Sequence, residues 1–390
     1  MNQEDARVSA NAPLFAESLH VGRPNLGDRE RLFERFADIL DRRWLTNDGP
    51  YVQEFEQEVG AYLGVKHCVA VCNATIGLQI AIRALGLTGE VIVPSFTFPA
   101  TVHSLHWEGV TPVFCDVDPT THNVDVVDVE RLISPNTTGI VGVHLWGNAC
   151  DDGALSDLSR RHGLRLLYDA AHAFGCSHGG RMIGNFGDCE VFSFHATKFL
   201  NSAEGGAIVT NDAELAHSLR QLRNFGLKAG AVESVGTNAK MTEFCAAMGL
   251  TSLESRDEFI ERNRENHAAY RDAFSTIPGI RLLFGQTSEQ HNWQYVVAEV
   301  DRRIAGVSRD EVVAALHSQN VLAKKYFSPG CHRMPPYAAT HDAARSPLPH
   351  TELLCDRLLQ LPTGSGVTRL DIARIVDFMQ STTARRRRAA

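Results

Sequence analysis

The chain has 390 residues, 44% hydrophobic and 22% charged, and its 38 basic and 46 acidic side chains leave a formal net charge of −8. That balance excludes disorder, which goes with few apolar residues and more net charge. It also speaks against a nucleic-acid partner bound by counterion release.

Length predicts one large or two modest domains. Residues 1–12 are polar and expected to form a flexible N-terminus. Apolar residues at helical spacing, Leu32, Phe33, Phe36, Ile39 and Leu40, predict a helix ending near Arg43, before the breaker cluster Thr46-Asn47-Asp48-Gly49-Pro50. A second helix carries Phe55, Val59 and Leu63 and stops at Gly64. Strands and helices then alternate. Strands are predicted over 67–72, 90–94, 111–117, 139–147 and 164–169, with helices over 74–85, 98–109, 125–133 and 152–163 between them. Strands 189–194 and 207–211 and a helix over 212–226 follow. Apolar strands flanked by helices predict an α/β fold, its mostly parallel sheet covered on both faces.

Around 255–275 the pattern predicts one long, charged helix. It leads from a large domain, 13–260, into a smaller α+β domain, 261–384, with strands over 280–284 and 293–300 and a helix over 308–319. The Pro/His-rich stretch 326–350 is a loop long enough to imply function. A last helix covers 368–381, and 385–390 reads as a basic tail whose Arg385–Arg388 run is solvated.

The cysteines Cys68, Cys72, Cys115, Cys150, Cys176, Cys189, Cys245, Cys331 and Cys355 form no C-x-x-C pair and are odd in number. They predict reduced core thiols and no zinc site. No H-E-x-x-H motif occurs among the 17 histidines, and no metal is expected. MNQEDARVSANAP lacks a charged start followed by an apolar run, and no apolar stretch is long enough to span a bilayer. A cytoplasmic enzyme with no membrane partner is the expectation.

In an open α/β sheet, ligands bind beyond the carboxyl ends of the strands. Asn73-Ala74-Thr75 sits at such an end, where small residues expose N–H groups suited to phosphate; alone, it reads equally as an ordinary helix cap. Asp169 ends an apolar strand, where a carboxylate must be solvated, paired or used. His172 is three residues on. Lys198 closes FSFHATK, and an amine entering the protein's centre needs a partner. A tight turn, Glu204-Gly205-Gly206, follows. Taken singly, each has a plain structural reading. Together, a phosphate cradle, a carboxylate and a lysine are the parts of a pyridoxal phosphate enzyme, with Phe98 placed to stack on the ring.

Seven stretches in order, LTNDGPYVQEFE, VCNATIGLQIAI, VPSFTFPAT, YDAAHAFG, FSFHATKFLNSAEGGAIVTND, GTNAKMTEF and YFSPGCHRMPPY, run through nearly the whole chain. In these the chain resembles the DegT/DnrJ/EryC1/StrS sugar aminotransferases. The resemblance implies fold-type-I architecture, pyridoxal 5'-phosphate, a homodimer with shared active sites, and glutamate as amino donor. It implies that Lys198 binds the cofactor's aldehyde and moves the proton, and that Asp169 faces the pyridine nitrogen. His172 stands where many members have Gln facing the phenolic oxygen. Phe98 matches the stacking aromatic, Ala74 and Thr75 the phosphate cradle, and Ser193 a phosphate-binding hydroxyl. Asn238 matches an asparagine given to the phosphate by the neighbouring subunit. Tyr326 and His332 lie in the loop that shapes the sugar-nucleotide pocket. Two departures are Lys240, where many relatives have Arg, and CNAT in place of SGT.

The substrate implied is a nucleotide-linked keto-deoxysugar, with dTDP-4-keto-6-deoxyglucose favoured over a 3-keto sugar or a keto-cyclitol. A dehydratase of this fold would replace the lysine with histidine, so Lys198 favours transamination. A non-catalytic cofactor-binding sensor would need a partner domain, which the sequence does not show.

Overall fold

A computed structural model of the chain describes residues 12–283 and 289–389. All but the last residue of the expected flexible N-terminus, together with Phe284 and Ala390, lie outside the described residues. The centre is a seven-stranded sheet: β1 His67–Val71, β2 Glu90–Pro94, β3 Thr111–Cys115, β4 Thr137–Val143, β5 Arg165–Asp169, β6 Cys189–Ser193 and β7 Gly206–Thr210. The strand order is β1-β7-β6-β5-β4-β2-β3. The run from β6 to β3 is parallel. The sheet is mostly parallel, as expected; the exception is β7, which runs antiparallel to both β1 and β6. The cause is connection length: residues 194–205 hold no crossover helix, and a short return reverses the strand.

Period-2 alternation explains why helices cover both faces. Val69, Val71, Val91, Val93, Val191 and Ile208 enter one core, while Cys68, Ala70, Ile92, Ile140, Tyr168 and Phe192 enter the other. The flanking helices are α1 Arg29–Arg42, α2 Pro50–Leu63, α3 Ala74–Ala84, α4 Pro99–Trp107, α5 Val126–Leu132, α6 Asp152–His162, α7 Ala213–Arg223, α8 Glu243–Glu254 and α9 Arg256–Phe274.

Two expectations are corrected and one helix is added. The long helix predicted around 255–275 is α9; a helix the pattern does not predict, α8, precedes it and meets it at Ser255. α8 is buried nearly all round, so its sequence carries no amphipathic stripe to reveal it. β4 stops at Val143, and Leu145–Gly147 turns with Trp146 in the left-handed region at φ 56°. There the His144 Nδ1 accepts the Cys150 N–H at 3.0 Å and folds the chain back. Finally, the basic tail is not separate: the last helix runs Arg369–Ala389 and takes in Arg385–Arg388.

A second, antiparallel sheet is formed by β8 Ile280–Leu282, β9 Val296–Val300 and β10 Leu358–Leu361. Its core joins Val296, Ala298 and Leu359 to Tyr270 and Phe274 of α9 and to Ile372 and Ile375 of the last helix. Phe15 packs in the same core, and Leu19–His20 pairs parallel with Val321–Leu322. The N-terminal segment is therefore tied to the C-terminal part of the chain. This brings residues 21–25 to the functional site.

Candidate active site

The carboxyl ends of β1, β2, β5 and β6 converge on one cavity of about 870 Å³. At the end of β1, the Asn73 side chain accepts the Ile76 N–H at 2.9 Å and starts α3. The Ala74 and Thr75 N–H groups have no partner among the described hydrogen bonds, and both residues line the cavity. Ser193, at the end of β6, faces the same space. Two free N–H groups at the positive end of a helix, with a hydroxyl beside them, make an anion cradle. β7 begins tightly against it: a Cβ on Gly206 would lie 2.8 Å from the Ala74 nitrogen and 2.8 Å from the Phe192 oxygen.

Asp169 ends β5 and is only 6% exposed. One carboxylate oxygen accepts the Thr101 hydroxyl at 2.7 Å, and the other accepts the Ala171 N–H at 3.0 Å. A buried carboxylate held on both oxygens keeps one orientation. Phe98, N-cap of α4, is 58% exposed and lines the cavity.

Lys198 is half-buried in the connection between β6 and β7. Its amine donates to the Tyr295 hydroxyl at 3.1 Å. Burial pushes its pKa down to about 8; the charge of Lys324 adds to this and Asp169 opposes it. His172 is buried, and burial, then the Lys198 charge, hold its pKa well below the usual histidine range. The neutral ring accepts the Trp146 N–H on Nδ1 at 3.4 Å, which leaves Nε2–H to meet the Tyr326 hydroxyl at 3.4 Å. The His172 ring also lies 4.3 Å from the Tyr295 ring and parallel to Phe327.

The structure thus brings together Lys198, Asp169, His172, Ala74, Thr75, Phe98, Ser193 and Tyr326. His332 is not brought to this cavity. It is buried, with Nδ1 2.7 Å from the Ser95 Oγ, and its N–H donates to that oxygen at 3.0 Å. It braces the 326–350 segment against the end of β2. That segment is also not one loop: it contains the short helix Pro335–Ala338, and the helix Pro349–Arg357 begins at its end. Asn238 is exposed, bridged to Asn224, and outside its own chain's cavity.

Sequence reasoning missed Tyr295 and Lys324. Tyr295 reads as one more apolar residue ahead of β9, and its meeting with Lys198 spans 97 residues. Lys324 reads as a surface lysine.

The nine cysteines are free, seven of them buried. Among the described residues no cluster of metal-ligating side chains forms, and no helix is long and apolar enough to cross a membrane.

These groups fit pyridoxal phosphate: an amine of lowered pKa for an aldehyde, an oriented carboxylate for a ring nitrogen, and free N–H groups for a phosphate. Comparison with known proteins agrees. The sequence model of the DegT/DnrJ/EryC1/StrS aminotransferase family matches residues 27–380. A dTDP-4-amino-4,6-dideoxy-D-glucose transaminase of Shigella dysenteriae is 38% identical over 80% of this chain and 85% of its own length. A GDP-perosamine synthase of Caulobacter vibrioides is 36% identical over 92% of this chain and 96% of its own. The crystal structure of DesI, solved in the presence of its TDP-sugar product, superposes with a TM-score of 0.93 at 49% identity, covering 100% of this chain and 98% of that one. The chain therefore belongs to the DegT/DnrJ/EryC1/StrS family of pyridoxal phosphate-dependent sugar aminotransferases.

Proposed function

We propose that the enzyme moves an amino group from glutamate to dTDP-4-keto-6-deoxyglucose, giving dTDP-4-amino-4,6-dideoxyglucose. The observation that carries this reading is the Lys198 amine, held by Tyr295 at 3.1 Å in a cavity that Asp169 and the α3 N-terminus also line. The choice of sugar is supported by the likeness to DesI, described with a TDP-sugar product, and to the Shigella transaminase named for the same amino sugar.

Bound in this cavity, pyridoxal phosphate supplies a carbonyl for substrate amines and an electron sink for the carbon that loses a proton. The chain's residues then have separate tasks. The α3 N-terminus and Ser193 hold the phosphate. Asp169 holds the ring nitrogen's proton. Phe98 and His172 confine the ring. Lys198, when free, would be the base that moves a proton between the substrate carbon and the cofactor's C4′. A pKa near 8 makes an appreciable neutral fraction available for that task at neutral pH.

The reading includes a homodimer. Phe33 and Leu40 on α1 are 55% and 59% exposed, although the sequence pattern marks them for burial, and Leu26, Trp44 and Leu45 are exposed nearby in the chain. Covering this surface with a second copy buries it. Asn238, exposed and away from its own cavity, is then available to the partner's phosphate site.

Incubation with dTDP-4-keto-6-deoxyglucose and glutamate, followed by mass and NMR analysis of the sugar, tests the proposal. An amino group at C4 supports it. Unchanged ketone, or a product only from a GDP-linked or 3-keto sugar, refutes it.

A further inference from the structure

Lys198 also opens on a second, much smaller cavity of about 40 Å³ that adjoins the large one at Thr197, Lys198, Lys324 and Tyr326. Its walls come largely from the N-terminal segment and the C-terminal part of the chain. Two cationic side chains besides Lys198 line it, Arg23 and Lys324, with the amides of Asn263, Gln294 and Gln360. Among the described residues no carboxylate lines it. Neither Arg23 nor Lys324 has a carboxylate partner among the described residues, whereas the adjacent Lys325 is paired with Asp310 at 2.9 Å. Lys324 lines the large cavity too. Its backbone is pinned to β10 by a reciprocal pair of hydrogen bonds with Gln360, at 3.0 and 2.8 Å. Its charge is close enough to Lys198 to lower that amine's pKa.

Two unpaired cations in a polar cavity make a site for a ligand with two negative charges. Each substrate presents its anionic groups differently. In a nucleotide-linked 4-keto sugar, the diphosphate is on C1, across the ring from the reacting carbon. In glutamate, the α-carboxylate is bonded to the reacting carbon itself. A carboxylate so placed must lie beside Lys198, where Lys324 stands. The side-chain carboxylate is farther along the same molecule.

We propose that this cavity is the amino donor's subsite, with Lys324 binding the α-carboxylate and Arg23 the side-chain carboxylate of a dicarboxylic amino acid. The inference rests on the donor assigned above and adds the residues that select it. The sugar nucleotide, bound in the large cavity, makes no demand on Arg23.

The test uses holoenzyme and the variants Lys324→Gln and Arg23→Gln. The binding probe is α-methylglutamate, which has no α-proton to lose, titrated by the cofactor's absorbance. Steady-state KM values for glutamate and for the sugar nucleotide are measured alongside. Each variant is expected to weaken probe binding and raise the glutamate KM by about tenfold or more, with the sugar-nucleotide KM changing less than about twofold. Arg23→Gln should also erase about tenfold of the preference for glutamate over glutamine, which Lys324→Gln leaves in place. Both side chains are exposed, so melting curves should match the wild type.

A rise in sugar-nucleotide KM without loss of probe binding would assign the cations to the diphosphate and overturn the inference. Unchanged binding of both would overturn it as well. If wild-type enzyme neither binds the probe nor uses glutamate, yet runs with another donor, the donor assignment itself fails and takes this subsite with it.

Discussion

Lys198 needs two opposed properties, an amine neutral enough to react and a position fixed enough to react once. Burial provides the first and Tyr295 the second. In cofactor-free protein, arylation of Lys198 by trinitrobenzenesulfonate should therefore rise with pH to half-maximum at about 8. The sign follows from a lowered pKa: the reactive neutral amine predominates above that value, two or more units earlier than an exposed lysine. Peptide mapping across pH 6–11 reads it directly, and a midpoint above 10 would show that the amine is not desolvated. Tyr295→Phe removes one hydrogen bond to the amine without changing ring volume. A kcat loss of about tenfold with an unaltered melting temperature is expected. Asp169 was legible in the sequence because a carboxylate ending an apolar strand stands out against its neighbours, and Lys198, five residues past β6, was legible only together with it and the phosphate cradle. Tyr295 and Lys324 were not, since their importance lies in contacts made across the fold.

The elements that hold this site are close-packed, and two of their contacts are tight enough to measure. A Cβ on Gly249 of α8 would lie 2.6 Å from the Phe55 ring of α2. Gly249→Leu should cost about 1–3 kcal/mol or more in urea unfolding, through overpacking. Behind the sheet, His144 and Glu190 form a pair at 3.1 Å, both fully buried. Because Nδ1 accepts the Cys150 N–H, the ring is neutral and turns its Nε2–H toward Glu190. Glu190 also accepts the buried Gly184 and Phe186 N–H groups, each at 2.7 Å. Glu190→Ala leaves these donors unpaired, and a loss of about 1–3 kcal/mol or more is expected in urea unfolding. The alternating strands and most helix ends were legible, because period 2, period 3.6, and caps such as Gly64 act locally. α8 and the reversed β7 were not. An all-buried helix has no stripe, and strand direction is set by what the chain does between strands.

For the whole molecule, the proposed sharing of sites between subunits has a simple consequence. Lys198→Ala and Asn238→Ala homodimers each carry the same defect in both sites. A mixed dimer has one site with neither defect, since its lysine and its asparagine come from different chains. Co-refolded subunits should recover about a quarter of wild-type activity, with half the dimers mixed and one site in two intact. Recovery no greater than the average of the two parents would place Asn238 outside the neighbouring site. The exposure of Phe33 and Leu40 is the structural counterpart of this prediction. Their helical spacing was visible in the sequence, but the surface that covers them in the proposed dimer was not, because it would belong to another copy of the chain.

The account depends most on which side chain is joined to the cofactor. Reducing pyridoxal phosphate-loaded enzyme with borohydride, digesting it and sequencing the labelled peptide by mass spectrometry answers this directly. A single pyridoxyl group on Lys198 is the predicted result. A label on another lysine, Lys324 included, or no label in protein supplied with the cofactor, would contradict it.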